Sequence, residues 1–439
     1  MREHPRRRDL ISELHARPFA EISAPCDVIF LACKHPENAA GRDRAAERKV
    51  LTDRLEALGL GAERVGTNHY LGPITQDTRG AKDGPLLKWE QHSEFTSLAL
   101  FQSGASGEAF APHEALRAFE PWAEGMTAPA LAKVLIRVDF APDDPTEIAK
   151  RLNTWFNPKS LAAARVLDGS ALIAGDFQLD EQGTMHFAIF VNPDCSPSKV
   201  GQVVQSVLEI ETYRAMAMLG LDRARNLARV LNDTDQRLED SVLTMAKADA
   251  EPEKLLFDLL DISANLEEQA ALMTFRFGAT EAYNAIVHDR ITLLREERFE
   301  GLQTFHEFMT RRFDPAIRTV SSTQDRLNSQ LNRTTRTAEL LRTRVDVSRS
   351  AESQTLLTSM DRRTAVQLRL QRTVEGLSVI AISYYAVNLL SGLLYPFAEA
   401  FSLTKAHVTA ALVLPVVAVV ALTIRRVRLG AGRDEHEDR

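Results

Sequence analysis

The stretch VEGLSVIAISYYAVNLLSGLLY, residues 374–395, carries a single charge, Glu375 at its start. A second stretch, VTAALVLPVVAVVALTI at 408–424, carries none. A helix that crosses a bilayer needs about 20 apolar residues, with about 17 as the lower limit. The two stretches are therefore read as transmembrane helices, the second short and extended by its flanks. A hairpin buried in a soluble core is the alternative. A core helix rarely stays uncharged for so long and then ends in a cationic cluster.

The arginines set the orientation. Arg362, Arg363, Arg369 and Arg372 precede the first span, and Arg425, Arg426, Arg428 and Arg433 follow the second. The loop between the spans, PFAEAFSLTKAH, holds one lysine and one glutamate. The positive-inside rule then puts both termini in the cytoplasm. The opening MREHPRRRDLISELHARP is basic, but no apolar stretch follows it, so a secretory signal peptide is not expected. A chain of 439 residues has room for two or three domains, and a net charge of −7 argues against a general nucleic-acid binder. Cys26, Cys33 and Cys195 show no metal spacing, and such sparse use fits a reducing compartment.

Working back towards the N-terminus, the fold class reads as α+β. Residues 1–197 form a cytoplasmic domain around a mixed or antiparallel sheet. Its strand-like runs are Cys26–Lys34, Lys88–Phe101, Lys133–Phe140, Ser170–Leu179 and Thr184–Val191, rich in Val, Ile and Phe and bounded by Pro, Gly and Asp. Helices are expected at Glu37–Leu58 and Pro145–Phe156, and a hairpin turn at Asp180–Gly183. Residues 198–313 are an acidic helical region. One helix ends near Asn232, another follows it, and a third runs from Pro252 to about Phe313. Asp314-Pro315 opens a stalk helix over 314–373 that continues into the first span, 374–397; after the second span comes a basic tail, 425–439. Ile317, Val320, Gln324, Leu327, Leu331, Thr334, Ala338, Leu341 and Val345 alternate by threes and fours, a polar heptad seam. Packing on a preceding helix and self-association both account for it.

In the first span Ser378, Ala381, Tyr385, Asn388 and Gly392 also recur at threes and fours. Polar groups inside a span cost free energy, so the stripe marks either a helix contact or, in an oligomer, a pore lining. The pore-lining residues are then Ser378, Tyr385, Asn388 and Gly392. The second span, apolar apart from Thr409 and Thr423, is read as the lipid-facing helix. No phosphate loop, zinc-protease motif or serine-hydrolase elbow is present. In KWEQHSEF, alternation on one strand puts Glu90, His92 and Glu94 on one face, a set able to ligate a divalent cation or simply to form a solvated face. Glu13, His15 and Arg17 in ELHARPF are similarly ambiguous.

Four segments carry a resemblance: HPRRRDLISELHARPF (4–19), KWEQHSEF (88–95), LEIETYRAMAMLGL (208–221) and LQRTVEGLSVIAISYYAVNLL (370–390). On them the chain resembles an uncharacterised bacterial membrane-anchored family defined by a domain of unknown function. This implies the bacterial inner membrane but no activity. The order of elements is also similar to CorA-type metal ion transporters, whose first span ends in Gly-Met-Asn. This chain has Ser391-Gly392-Leu393-Leu394-Tyr395 there, which puts magnesium selectivity in doubt.

Three functions are in play. The first is an oligomeric cation channel or transporter gated by its cytoplasmic domain. The second is a membrane-anchored sensor or scaffold that binds a cytoplasmic ligand or partner without transport. The third, a membrane-tethered enzyme, has no catalytic residues to support it. The expected partners are the bilayer and further copies of the chain, with no nucleic acid.

Overall fold

The computed structural model describes residues 3–4, 7, 19–36, 41–61, 65–74, 84–105, 107–111, 114–245, 247, 251–399 and 404–431. The chain divides into two compact units, Met1–Ala338 and Glu339–Arg439.

Unit 1 is built on β1, Cys26–Cys33, whose eight residues are all buried. Alternation sends Val28, Phe30 and Ala32 to one face and Ile29, Leu31 and Cys33 to the other, each into its own core. A strand covered on both faces reads as a continuous apolar run, which is why the sequence shows no polar alternation here. The other strands are β2 His69–Pro73, β3 Leu86–Gln91, β4 Thr96–Ser103, β5 Ala130–Phe140, β6 Ala162–Val166, β7 Ala171–Leu179, β8 Met185–Val191 and β9 Glu297–Arg298. Among the described residues they form one nine-stranded sheet, ordered β2-β3-β4-β1-β5-β8-β7-β6-β9. Among the named strands only β5 and β8 pair in parallel, so of the two expected alternatives, mixed or antiparallel, the sheet is mixed.

One face carries three short helices: α1 Arg44–Ala57, α2 Glu114–Glu124 and α3 Pro145–Trp155. Leu51, Leu55, Phe119 and Trp122 pack on Trp89, Leu98 and Leu100, while Ile148 and Leu152 pack on Leu172 and Phe190. The Asp144 carboxylate caps α3 by accepting from the Thr146 amide (2.9 Å), and Pro145 fills the first turn. The opposite face carries α4, Pro197–Met245, and α5, Pro252–Leu294. Val200, Val203, Val207, Val287 and Ile291 pack there on Phe30, Val134, Ile136 and Phe187. A short α6, Phe305–Arg312, follows; it opens with a reciprocal capping box between Thr304 and Glu307. The first turns of α4 and the last turns of α5 thus share the sheet's core.

Three sequence expectations are corrected. Lys88–Phe101 is two strands, β3 and β4, with a turn at 92–95. Helix α4 runs unbroken through Asn232, because Leu227, Leu231 and Leu238 keep its buried stripe going. Helix α5 stops at Leu294 instead of Phe313. Arg295 takes a left-handed backbone (φ 49°), β9 pairs with β6, and Phe299 enters the core. Strands β2, β6 and β9 and helix α2 were not anticipated.

Helix α7, Asp314–Glu399, is continuous over 86 residues, as the absence of proline between Pro315 and Pro396 suggested. Within unit 1 its seam is taken up by the same chain: Val320 and Leu327 pack with Leu221, Leu227, Leu231, Ile262, Leu266 and Phe277 of α4 and α5. Gln330 donates to the Leu231 carbonyl (2.8 Å), and Arg326 pairs with Asp235, a contact between stalk arginine and acidic helix. In unit 2, α7 and α8 (Lys405–Ala431) are both long and apolar enough to cross a membrane. Both expose large apolar side chains, Leu389 at 75% and Leu414 at 79%.

Gly201 is where α4 crosses the N-terminal segment. A Cβ there would stand 1.8 Å from the Ala20 carbonyl oxygen, and backbone cannot swing aside as a side chain can. Gly201→Ala is expected to destabilise unit 1 by about 1–3 kcal/mol, the usual range for overpacking. Unfolding of the detergent-solubilised chain, followed by tryptophan fluorescence, measures this; an unchanged midpoint refutes the close approach.

Candidate functional site: a cationic cleft beside the Glu94 turn

The turn between β3 and β4 contains no glycine or proline. It is closed by the His92 amide donating to the Phe95 carbonyl (2.9 Å) and is templated from outside. The Arg42 guanidinium donates to the carbonyls of His92 (2.8 Å), Ser93 (3.1 Å) and Phe95 (2.9 Å) and pairs with Glu47 (2.9 Å). Glu47 in turn accepts from the Thr96 hydroxyl (2.7 Å) and the Gln91 amide (3.0 Å). A planar, five-donor guanidinium is suited to gather several carbonyls at once.

Held in this way, the turn delivers Glu94 to α5. The residue is 2% exposed, pairs with Arg276 and accepts a hydrogen bond from the Tyr283 hydroxyl (2.9 Å). The Lys34 ammonium lies 4.0 Å away. Burial, reinforced by the Glu94 charge, raises the Tyr283 pKa well above its ordinary value, so the phenol stays protonated and remains the donor. Burial also lowers the Lys34 pKa; Arg276 and Arg223 push it the same way, and Glu94 opposes them. A file of rings, His92 on Phe95 (4.1 Å), Phe95 to Tyr213 (6.0 Å) and Tyr213 on Tyr283 (5.5 Å), runs from the turn to α5.

The structure separates the three residues of the expected cation site. Glu90 and His92 line a cavity of about 20 Å³ with Lys88, Ser97, Gln205 and Glu209, and Glu94 is not part of it. Lys88 pairs with Glu90 (3.1 Å) and donates to Gln205 (2.9 Å), and Glu209 pairs with Arg290. The charge that a metal would neutralise is thus met by Lys88 at Glu90 and by Arg276 and Lys34 at Glu94. Among the described residues no three His, Cys, Asp or Glu are grouped to hold a metal ion. Glu13, His15 and Arg17 lie outside the described residues.

Arg276 and Lys34 also border a cleft of about 790 Å³. Its floor comes from the segments that follow β1 (Lys34, His35, Pro36) and open β5 (Pro129, Ala130, Leu131). Its walls come from α4 (Leu219, Asp222, Arg223) and α5 (Leu272, Met273, Phe275, Arg276). Among the described residues, three cations, Asp222 and several apolar side chains thus line one cleft of ligand size. The sequence reading passed over it, although two signals were available: Lys34 closes a buried strand, and Arg276 stands between two phenylalanines on a helix.

In unit 2 the polar residues of the first span fall on different faces. Ser383 and Ser391 are buried, while Tyr385, at 67% exposed, and Gly392 are not. Asn388 is exposed at the rim of the groove that Val379, Val387, Val413 and Val417 form between the helices. Ser378 is half-buried, and its hydroxyl donates to the Val374 carbonyl (2.9 Å).

The profile of DUF3422, described as a protein of unknown function, matches residues 2–430. The chain belongs to the DUF3422 family. No curated protein and no solved structure matches it, so the likeness to CorA-type transporters gains no support from either. The DUF3422 match covers both units and therefore takes in the Glu94 turn, the cleft and both apolar helices.

Glu94→Ala strands the Arg276 and Lys34 charges. The expected cost is roughly 3–5 kcal/mol, that of breaking a buried ion pair. Tyr283→Phe removes one hydrogen bond to a charged acceptor and should cost roughly 1.5–3 kcal/mol. Denaturant unfolding of the full chain ranks the two. Equal and negligible losses would show that the Glu94 cluster does not hold the sheet to α5.

Proposed function

We propose that this DUF3422 protein is a membrane-anchored ligand-binding protein. Unit 1 is its cytoplasmic receptor part, and the two apolar helices of unit 2 are its anchor in the bacterial inner membrane. The observation that carries this reading is the cleft of about 790 Å³ bordered by Lys34, Arg223 and Arg276. Its volume lies within the roughly 300–1,000 Å³ typical of small-molecule sites. Three cations around an apolar interior call for an organic anion. The anchor and its orientation rest on the two apolar helices and on the arginines that flank them.

A second reading, an oligomeric cation channel, is favoured by one observation. Tyr385 and Gly392 lie exposed on the first apolar helix, and Asn388 is exposed at the rim of its groove with the second. Polar side chains facing lipid are costly, and further copies of the chain arranged around an axis would relieve that cost.

The test uses the full chain in nanodiscs, with acetate, benzoate and inorganic phosphate as probes. A binding anion at about 100 times its Kd stabilises the fold by about 2.7 kcal/mol. The expected result is a saturable rise in unfolding temperature with at least one probe, lost in Arg223→Glu. Arg223 is exposed, so the variant should fold. A rise that Arg223→Glu leaves unchanged refutes the cleft. Cation flux in proteoliposomes, abolished by Asn388→Leu, would put the channel reading in its place.

A further inference from the structure

The cleft specifies more than an anion. We infer that its ligand is a singly charged, single-chain amphiphile of the fatty-acid class, with its head at Lys34 and Arg276 and its alkyl chain along α5. This rests on the ligand-binding reading above and narrows it.

Charge balance sets the head group. Lys34, Arg223 and Arg276 contribute three positive charges; Asp222 in the wall and Glu94 beside Arg276 contribute two negative ones. Among the described residues the excess is one positive charge, which suits a carboxylate better than a phosphate dianion. The Arg276 guanidinium is half used: Nη2 pairs with Glu94, while Nη1 is buried and has no hydrogen-bond partner. A buried donor left unpaired costs about 1–3 kcal/mol, and a ligand carboxylate supplies the missing acceptor once the guanidinium turns towards the cleft that it borders.

The apolar surface sets the tail. Leu272 and Phe275, one helical turn apart on α5, are 62% and 57% exposed although they border the cleft. The Arg276 guanidinium carbon stands 5.6 Å from the centre of the Phe275 ring. Cation and apolar ledge are therefore adjacent, the arrangement an amphiphile needs and a small hydrophilic anion leaves unused.

The experiment uses the full chain in zwitterionic nanodiscs with a diazirine analogue of laurate, and the cross-linked peptides are mapped by mass spectrometry. Saturable labelling is expected on the peptides containing residues 34–36 and 272–276. Hexanoate, octanoate and decanoate should compete about fourfold more strongly for each added methylene. Phe275→Ser should flatten that chain-length series, and Arg223→Glu should weaken every competitor. If acetate or phosphate competes as well as decanoate, the amphiphile is refuted while the anion site stands. If anionic phospholipid added to the disc abolishes the labelling and decanoate does not compete, the ligand is a membrane headgroup and the inference fails. Labelling confined to other segments, with no anion shifting the unfolding temperature, overturns both readings.

Discussion

The contact of α4 with the sheet is the one on which the rest of unit 1 depends. The first turns of α4 bury Val200, Val203, Val204 and Val207 against the strands, and its later turns carry Leu221, Ala224, Leu227 and Leu231 to α5 and α7. A single unbroken helix therefore belongs to two cores. Its close approaches occur at glycines: Gly201 meets the backbone of Ala20, and Gly220 meets Thr280 of α5. Larger residues there would lift the helix from its partners and remove the packing contacts that a dense interior requires. The cleft opens where α4 and α5 pass the ends of β1 and β5, so its shape follows from the same contact.

Electrostatics fixes the details. A carboxylate as buried as Glu94 is tolerated only with its charge paired and its oxygens hydrogen-bonded, and Arg276, Tyr283 and Lys34 meet that demand. The motif KWEQHSEF, which resembles a cation site on paper, is a joint. Lys88 and Glu90 tie the sheet to α4 through Gln205, and Glu94 ties it to α5. Arg276 also borders the cleft, and among the described residues its buried Nη1 has no hydrogen-bond partner.

The legible parts of the chain were those whose signal is local. The eight residues of β1, the hairpin of β7 and β8, the N-terminus of α3 and the start of α7 all follow from apolar runs, turn residues, capping and proline. The illegible parts were made by distant partners. The turn at 92–95 has no glycine or proline to announce it, and Arg42 holds its carbonyls from a distant segment. Helix α5 stops at Leu294 because β9 is drawn to the edge strand β6 and Phe299 to the core.

By itself, then, the sequence determined the α+β class, the unbroken length of α7 and the two apolar helices, since apolar runs and proline positions are properties of neighbouring residues. Only the tertiary structure decided what each face meets. It gave the seam of α7 to α4 and α5 within unit 1, set Glu94 against Arg276, and brought Lys34, Arg223 and Arg276 around one cleft. Those residues are separated by up to 242 positions in the chain, and no local rule connects them; sheet order and helix packing do.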